Sequence, residues 1–273
     1  MLDTRNRLLA ALPADAQALL APHLVRVELE ARELVYDFDR EITHVVFPES
    51  AVVSIVGVMA DGSAVETGTV GREGMAGVPV VLGADRTNAQ AFTQVPGVAL
   101  RLPADVLRAA LAESPPLWRV LLAYTQALMT LTAQGSACNR RHTMVQRCAR
   151  WLLYTHDQVG RDDFALTHQF LSQMLGVRRA TVTEAMGALQ DAGAVEYQMG
   201  RVRIRDRGVL ERRVCECYAI VSGEYERLLG DGAAASRRPP PLDGLTTAED
   251  GMSLLGDGAP PSGDGTPTAD DER

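Results

Sequence analysis

The sequence predicts an α+β fold in which a long helix joins an N-terminal β-roll to a C-terminal winged helix-turn-helix. Three observations support this. Short β-branched runs separated by turns fill residues 24–102, leucines repeat in heptads from residue 117, and two amphipathic segments flank Gly176 before an arginine-rich strand. The 273 residues leave room for two domains, and 46% hydrophobic with 23% charged residues is typical of a globular chain.

Composition and charge exclude several classes of protein. No apolar run approaches the roughly 18 residues of a membrane helix, and residues 1–7 lack the apolar core of a signal peptide. We therefore expect a cytoplasmic protein with no membrane partner, and four cysteines are too few for a disulfide scaffold. The net charge is −8, yet residues 139–213 hold 13 arginines against 8 acidic residues. This local positive charge indicates a nucleic-acid-binding region.

Residues 1–113 are predicted to form the β-roll. Apolar residues at helical spacing indicate a first helix over residues 8–22, and Pro103 with Asp105 indicates the start of a closing helix. Between them, short β-branched runs with regular turns are typical of a small barrel or roll. The predicted strands are residues 24–29, 43–47, 52–58, 65–70, 78–82, 90–94 and 98–102.

A long helix is predicted over residues 114–138, where Ser114 and two prolines provide a suitable helix start. Its apolar positions alternate steps of four and three residues, a heptad pattern typical of coiled coils. We interpret this seam as the interface of a homodimer, and the alternative is a helix that packs on its own β-roll. The seam consists of Leu117, Leu121, Tyr124, Leu128, Leu131, Gly135 and Cys138.

The most informative pattern is a helix-turn-helix over residues 166–191, within a predicted domain of residues 139–213. Thr167 is placed to cap a first helix, and Gly176 suits the left-handed conformation that ends one. Apolar side chains on one face of each helix predict that the two helices pack together. The polar face of the second helix is predicted to be exposed and consists of Arg178, Arg179, Thr181, Thr183 and Glu184.

A basic strand follows the second helix. Gly200 indicates a hairpin turn, and the alternation of arginine with valine and isoleucine puts three arginines on one face of the strand. Alone this would be an ordinary solvated face, but beside a groove-reading helix it forms a wing that is suited to DNA phosphates. The predicted phosphate contacts are Thr167, His168, Arg201, Arg203 and Arg205.

The C-terminal part of the chain changes character twice. Residues 214–230 are predicted to form a last helix. Residues 231–273 hold seven glycines, six prolines and an excess of acidic residues, without apolar periodicity. Such a segment cannot bury enough surface to offset the entropy of ordering it, so we predict a disordered acidic tail.

This order of elements resembles the Crp–Fnr family of bacterial transcription regulators. The resemblance covers about residues 8–228, is most specific at residues 167–205, and extends to residues 47–50, 71–75 and 148–153. It implies a roll of the cyclic-nucleotide-binding type, which is a double-stranded β-helix. It also implies a homodimer on roughly palindromic double-stranded DNA, with half-sites about 34 Å apart, and RNA polymerase as a partner.

The resemblance also implies which residues contact bases. Arg179 matches the arginine with which the family reads guanine. The sequence departs from the family at Ala180, where glutamate is common, and at Glu184, where the cAMP receptor has arginine, so the half-site is expected to differ. The candidate base contacts are Arg178, Arg179, Thr181, Thr183 and Glu184.

A ligand and a cofactor are less clearly indicated. The family's nucleotide cassette corresponds here to Gly74, Met75, Arg86 and Thr87. Because Met75 cannot accept a hydrogen bond from a ribose, and because no cysteine precedes Cys138, neither a cyclic nucleotide nor an iron–sulfur cluster is expected.

No metal site is predicted either. Cys215 and Cys217 are too close for an ordinary zinc pair, and the histidines show no ligand-like spacing with the cysteines. Cys138 and Cys148 are expected to be core residues. A redox role for the cysteines and haem binding stay open.

Two functions are consistent with this pattern. The first is a homodimeric DNA-binding transcription regulator. The alternative is a sensor of a cyclic nucleotide or another small molecule, whose helical end binds a protein instead of DNA. An enzyme is not expected because the sequence shows no phosphate-binding loop, nucleophile elbow or metal-ligand pair.

Overall fold

The computed structural model describes residues 2–230, and the predicted disordered tail lies outside them. The helices are α1 (Arg7–Ala10), α2 (Ala14–Leu20), α3 (Val78–Val81), α4 (Ala104–Glu113), α5 (Pro115–Arg141), α6 (Met144–Val159), α7 (His168–Met174), α8 (Arg179–Asp191), α9 (Arg207–Arg213) and α10 (Cys217–Leu229). The strands are β1 (Val25–Leu29), β2 (Leu34–Tyr36), β3 (His44–Pro48), β4 (Val52–Val58), β5 (Ala64–Val70), β6 (Ala89–Val95), β7 (Gly97–Pro103), β8 (Asp163–Ala165), β9 (Val195–Gln198) and β10 (Arg201–Ile204).

The N-terminal region is a roll of two antiparallel sheets. One sheet has the order β1-β7-β3 and the other β2-β6-β4-β5. Alternate side chains of both sheets, such as Phe47 from the first and Val53 from the second, pack in one apolar core. The predicted α+β fold with an N-terminal β-roll is confirmed.

Three local predictions differ from the structure. The helix expected over residues 8–22 is two helices, α1 and α2, because Pro13 cannot donate the hydrogen bond that would continue the first. The strand expected at residues 78–82 is the short helix α3, where Pro79 occupies the first turn and could not pair in a ladder. Strand β2 was not predicted because three residues are too few to show an alternation.

The heptad seam of α5 packs within its own chain. Leu117, Leu121 and Tyr124 are at most 1% exposed and lie in the core of the roll, where burial of each leucine contributes about 1.5–3 kcal/mol. Farther along, Leu128 and Leu131 pack partly buried against the same core, Gly135 is half-buried, and Cys138 is buried beside two other cysteines. For Leu117, Leu121 and Tyr124, which the roll of the same chain covers completely, the interpretation of this seam as a dimer interface is wrong. Heptad spacing identifies a covered face but not which chain covers it.

The opposite face of α5 carries exposed apolar side chains. Trp118, Leu122 and Met129 are 48%, 40% and 62% exposed. Their separations of four and seven residues place them along one side of the helix. No other part of residues 2–230 covers this apolar stripe.

The winged domain has its own core and rests against the roll. Its three strands pair in the order β8-β10-β9, and their inner side chains pack against α6, α7, α8 and α9. Trp151 Nε1 donates to Glu66 Oε1 of the roll at 3.0 Å, and the ring of Phe170 meets that of Phe92 edge-on at 6.4 Å. Glu66 is therefore part of the contact between roll and winged domain.

Glu66 makes this contact sensitive to pH. Burial raises its pKa to about 7, although hydrogen bonds from Ser54, Thr69 and Trp151 act in the opposite direction. A carboxyl group whose pKa is higher in the folded state contributes stability below its unfolded pKa, and this contribution is lost as the pH rises through about 7. Between about pH 5 and pH 8 we expect the wild type to lose roughly 1–3 kcal/mol of unfolding free energy relative to Glu66→Gln.

Denaturant unfolding of both proteins across this range measures the difference. Burial also raises the pKa of Glu73 to about 7, but Glu73 is present in both proteins and its effect cancels. Glu28→Gln, at an exposed position of β1, is the matched control and should follow the wild type. Parallel stability curves for wild type and Glu66→Gln would refute the prediction.

Candidate nucleic-acid interface

The helix-turn-helix is built from α7, a tight turn and α8. Thr167 Oγ1 accepts a hydrogen bond from the backbone N–H of Phe170 at 3.0 Å and so caps α7. Gly176 has a φ of +63°, and a β-carbon there would lie 3.3 Å from Cγ2 of Val65. The turn then closes with the N–H of Val177 donating to the carbonyl of Ser172 at 3.0 Å. Glycine fits both the left-handed backbone and the close approach of the roll.

Helix α8 presents a polar face to solvent. Val182, Met186 and Leu189 are buried on its inner side, as the apolar pattern predicted. Thr181 is half-buried, and Thr183 Oγ1 donates to the carbonyl of Arg179 at 3.0 Å. The candidate base-contact residues with exposed positions are Arg178, Arg179, Thr183 and Glu184.

The two arginines at the start of α8 have no ion-pair partner among the residues that the structure describes. Arg178 is the N-cap residue and Arg179 the first residue of the helix. The arginines of the winged domain that form ion pairs lie between residues 201 and 207. Among residues 2–230, no acidic side chain pairs with Arg178 or Arg179. Positive side chains at the positive end of a helix dipole are unfavourable without an anion. This pair is therefore suited to bind acceptor groups of a partner.

The wing has the predicted turn and the predicted row of exposed arginines, but acidic neighbours neutralise part of its positive charge. Met199 and Gly200 have φ of +48° and +74°, which gives the tight turn between β9 and β10. Arg201 and Arg203 of β10 and Arg205 directly after it are exposed, while Val202 and Ile204 are buried. Two acidic residues on the neighbouring strands pair with them. The ion pairs are Arg201–Asp163, Arg203–Asp163 and Arg205–Glu196.

Sequence reasoning missed these two acidic partners. Asp163 belongs to β8, a three-residue strand that the sequence pattern does not reveal, and it lies opposite Arg203 in the register of the sheet. Glu196 lies opposite the same arginine from β9. Exposed pairs of this kind contribute little to stability, so a phosphate can replace the carboxylate.

Removing Asp163 should strengthen binding to DNA. The hydrogen bond from Arg201 lowers the pKa of Asp163 and keeps the aspartate ionised against the wing. In Asp163→Asn the guanidinium groups of Arg201 and Arg203 are released, and we expect tighter binding to any duplex. The slope of log affinity against log salt should steepen by up to about one per newly made phosphate contact.

Filter binding to an arbitrary duplex at several salt concentrations measures this slope. Asp15→Asn, at an exposed position of α2 in the roll, is the matched control. A weaker affinity, or an unchanged slope, would argue against phosphate contacts by the wing.

His168 has a structural position that excludes its predicted phosphate contact. Its ring stacks on Tyr197 with centroids 4.1 Å apart, and its Nδ1 lies 3.0 Å from Thr183 Oγ1. Its Nε2 is buried, and burial together with the charge of Arg179 lowers its pKa. With Nε2 buried and Nδ1 already engaged by Thr183, neither ring nitrogen is free to bind phosphate in this structure, so this prediction is wrong. His168 instead fixes the start of α7 to α8 and the wing.

The predicted ligand cassette does not form a pocket. The ring of Tyr124 covers the position that a side chain at Gly74 would take, and its hydroxyl donates to the carbonyl of the fully buried Met75 at 2.9 Å. Arg86 lies in an exposed loop, with its Nη1 4.0 Å from Asp39 Oδ1, and Thr87 follows it. The cassette fails as a site because α5 fills the space above Gly74.

Two cavities between other parts of the chain are lined by different residues. The smaller, of about 330 Å³, lies between β5, α5 and α6. The larger, of about 640 Å³, lies between the roll and α7.

The structure also brings together four residues that the sequence left apart. The ligand atoms of Cys138, His142, Cys215 and Cys217 all lie within 4.8 Å of one another. The prediction that these residues have no ligand-like arrangement is wrong. The end of α5 and the start of α10 are more than 70 residues apart in the sequence, so the pattern of residues does not show that they are in contact. The four-residue spacing of Cys138 and His142 was the one available signal.

Comparison with known proteins gives a match for the winged domain. The family of the Crp-like helix-turn-helix domain matches residues 146–213. Comparison with curated proteins finds no significant match. Within residues 2–230, none of the helices has the length and apolar character that crossing a membrane requires.

Solved structures resemble the chain as a whole. A putative transcriptional regulator of the Crp/Fnr family from Eubacterium rectale is 15% identical with a TM-score of 0.59, covering 75% of this chain and 96% of its own. FixK2 from Bradyrhizobium japonicum is 17% identical with a TM-score of 0.61, covering 70% and 98%. The c-di-GMP-responsive global regulator CLP of Xanthomonas campestris is 14% identical with a TM-score of 0.58, covering 71% and 100%. The resemblance expected from the sequence is confirmed: the chain has the fold of the Crp/Fnr transcription regulators and carries a DNA-binding Crp-like helix-turn-helix domain.

Proposed function

We propose that this chain is a transcription regulator that binds, as a homodimer, a roughly palindromic site in double-stranded DNA. The pair Arg178 and Arg179 carries the proposal. Both arginines are exposed at the positive end of α8, and no acidic partner among residues 2–230 compensates them. Base edges and phosphates of a major groove supply the acceptors that this end of the helix lacks. RNA polymerase is the protein partner expected for such a regulator.

The exposed face of α8 suggests how the groove is read. We propose that Arg179 binds guanine through two hydrogen bonds and that Glu184, five residues later in α8, accepts from the amino group of cytosine. Farther along α8, Gly187 has no side chain and Ala188 has only a methyl group, which allows this part of the helix to approach the bases closely. A half-site that contains guanine opposite Arg179 is expected.

The apolar stripe of α5 supports the dimer. Trp118, Leu122 and Met129 follow heptad steps on the face that the roll leaves uncovered. Helix α5 has 27 residues and spans about 40 Å, enough for a two-stranded coiled coil with a second copy. A twofold axis along α5 would place two copies of α8 in successive major grooves, about 34 Å apart.

Selection of bound duplexes from a random pool tests the proposal. The full chain should enrich an inverted repeat whose half-site centres are about one helical turn apart. Its affinity for that repeat should fall steeply as the salt concentration rises. A pool that stays random after repeated selection, or a single unrepeated half-site, would overturn the proposal.

The smaller cavity favours a second role as a small-molecule sensor. It is lined by Glu66 of the roll, Ser136 and Asn139 of α5, and Arg150 of α6. Arg150 Nε is buried and has no hydrogen-bond partner among the described residues. One similar structure is described as responsive to c-di-GMP, and a ligand in this cavity would contact both the roll and the winged domain.

Thermal shift of the full chain with a panel of cyclic mononucleotides and dinucleotides tests the sensor role, and Arg150→Gln is the matched variant. Stabilisation by one nucleotide that is lost in the variant would support it. If that nucleotide bound and the chain ignored duplex DNA, the helical end would have a protein partner instead. The absence of any shift would count against sensing of these nucleotides.

A further inference from the structure

A cluster of three thiols and one imidazole lies where α5 ends and α10 begins. Cys138 Sγ lies 3.6 Å from Cys215 Sγ, and Cys217 Sγ lies 3.4 Å from His142 Nδ1. The three cysteines are nearly completely buried and form a small core of their own. His142 is half-buried at the C-cap of α5, one turn after Cys138.

We propose that Cys138, His142, Cys215 and Cys217 bind one Zn²⁺ ion. Two sulfurs on one tetrahedral zinc ion lie about 3.8 Å apart, and a sulfur and a nitrogen slightly closer. The two observed distances of 3.6 and 3.4 Å agree with these edges. Three cysteines and one histidine form a closed structural zinc site, and thiolate ligands select zinc over magnesium or calcium.

The surroundings supply the outer contacts of a zinc site. His142 Nε2 lies 3.1 Å from Glu216 Oε1, so a carboxylate orients the ring whose other nitrogen faces the thiols. Gln134 Nε2 donates to Cys217 Sγ at 3.2 Å. Cys217 is the first residue of the 13-residue helix α10, so the cluster lies at the start of that helix.

Charge is also accommodated at this site. Zinc binding displaces one proton from each of the three thiols and leaves one net negative charge. Arg147 and Arg150 of α6 lie close enough to Cys138 to interact with its charge. Their guanidinium groups offset the charge of the occupied site.

The ion would tie the C-terminal helix to the long helix. Without it, the contacts between residues 215–217 and the end of α5 among the described residues include the apolar packing of the cysteines, the Gln134–Cys217 hydrogen bond and the His142–Glu216 pair. With it, the joint between α5 and the winged domain is fixed next to residue 142. The same thiols could instead form a Cys138–Cys215 disulfide, and the experiment separates these outcomes.

Metal analysis of the full chain tests the site without reference to DNA binding. The chain is purified under reducing conditions without a metal-affinity step, and zinc is measured by mass spectrometry. About one zinc per wild-type chain is expected, and the zinc content of Cys217→Ser should be lower by about tenfold or more. Cys148→Ser is the matched control, because Cys148 is a buried cysteine of α6 outside the cluster, and it should keep its zinc.

A second measurement uses the wild-type chain and does not depend on the folding of a variant. Cobalt added to the zinc-free, reduced chain should give the visible bands of a tetrahedral thiolate complex, and zinc should abolish them. The proposal is overturned if the wild-type chain is purified without zinc and also gives no such bands when cobalt is added. The proposal is also overturned if a Cys138–Cys215 disulfide persists in the chain purified under reducing conditions. It is overturned as well if Cys217→Ser retains as much zinc as the wild type.

Discussion

Arg179→Ala is expected to lower the affinity for the selected DNA site by about 30-fold to 10⁴-fold. A two-bond contact between arginine and guanine is worth about 1–3 kcal/mol of discrimination. A dimer makes this contact twice, and each 1.4 kcal/mol is about a factor of ten. Salt-dependent binding to unrelated duplex should remain, because the variant leaves unchanged the wing arginines that we propose as phosphate contacts.

Competition between the selected duplex and a scrambled duplex measures this loss of preference. Arg40→Ala removes an exposed arginine of the roll that lies outside the candidate interface, and it should leave the preference intact. A footprint of Arg179→Ala identical to that of the wild type would reject the assignment of Arg179 to base reading.

Leu122→Glu combined with Met129→Glu is expected to abolish the dimer and lower DNA affinity by at least about 10³-fold. Two charges on the apolar stripe of each copy would repel across the interface. A single chain then contacts one half-site and loses most of the difference between specific and non-specific binding. Because both side chains are 40% or more exposed in the single chain, its thermal stability should change little.

Light scattering and mobility shift of the same preparation check the two effects together. Leu82→Glu, at a residue of the roll that is 61% exposed, is the matched control and should stay dimeric. If the double variant remains a dimer and binds as the wild type does, the stripe is not the interface.

The fold was predictable where local chemistry decides structure. Strand β4 has the bounds that its β-branched run predicted, and the helix-turn-helix followed from Thr167 and Gly176. Residues 78–82 show the limit of this reasoning, because valines favour a strand but Pro79 removes the donor that a strand needs.

The candidate sites were predictable only in part, because long-range contacts leave little trace in the sequence. Tyr124 and Leu121 have the spacing of a coiled coil, yet the roll of the same chain covers them. The pairing of Arg203 with Asp163 depends on a three-stranded wing that the pattern did not reveal. Cys138 and Cys215 meet only because α10 returns to the end of α5.

Sedimentation of the full chain with one selected duplex, at low and at moderate salt, tests the proposed function most directly. We expect two wild-type chains per duplex, and an affinity that falls steeply between the two salt concentrations. A complex of one wild-type chain with the duplex, or an affinity indifferent to salt, would contradict a dimer that reads DNA through α8.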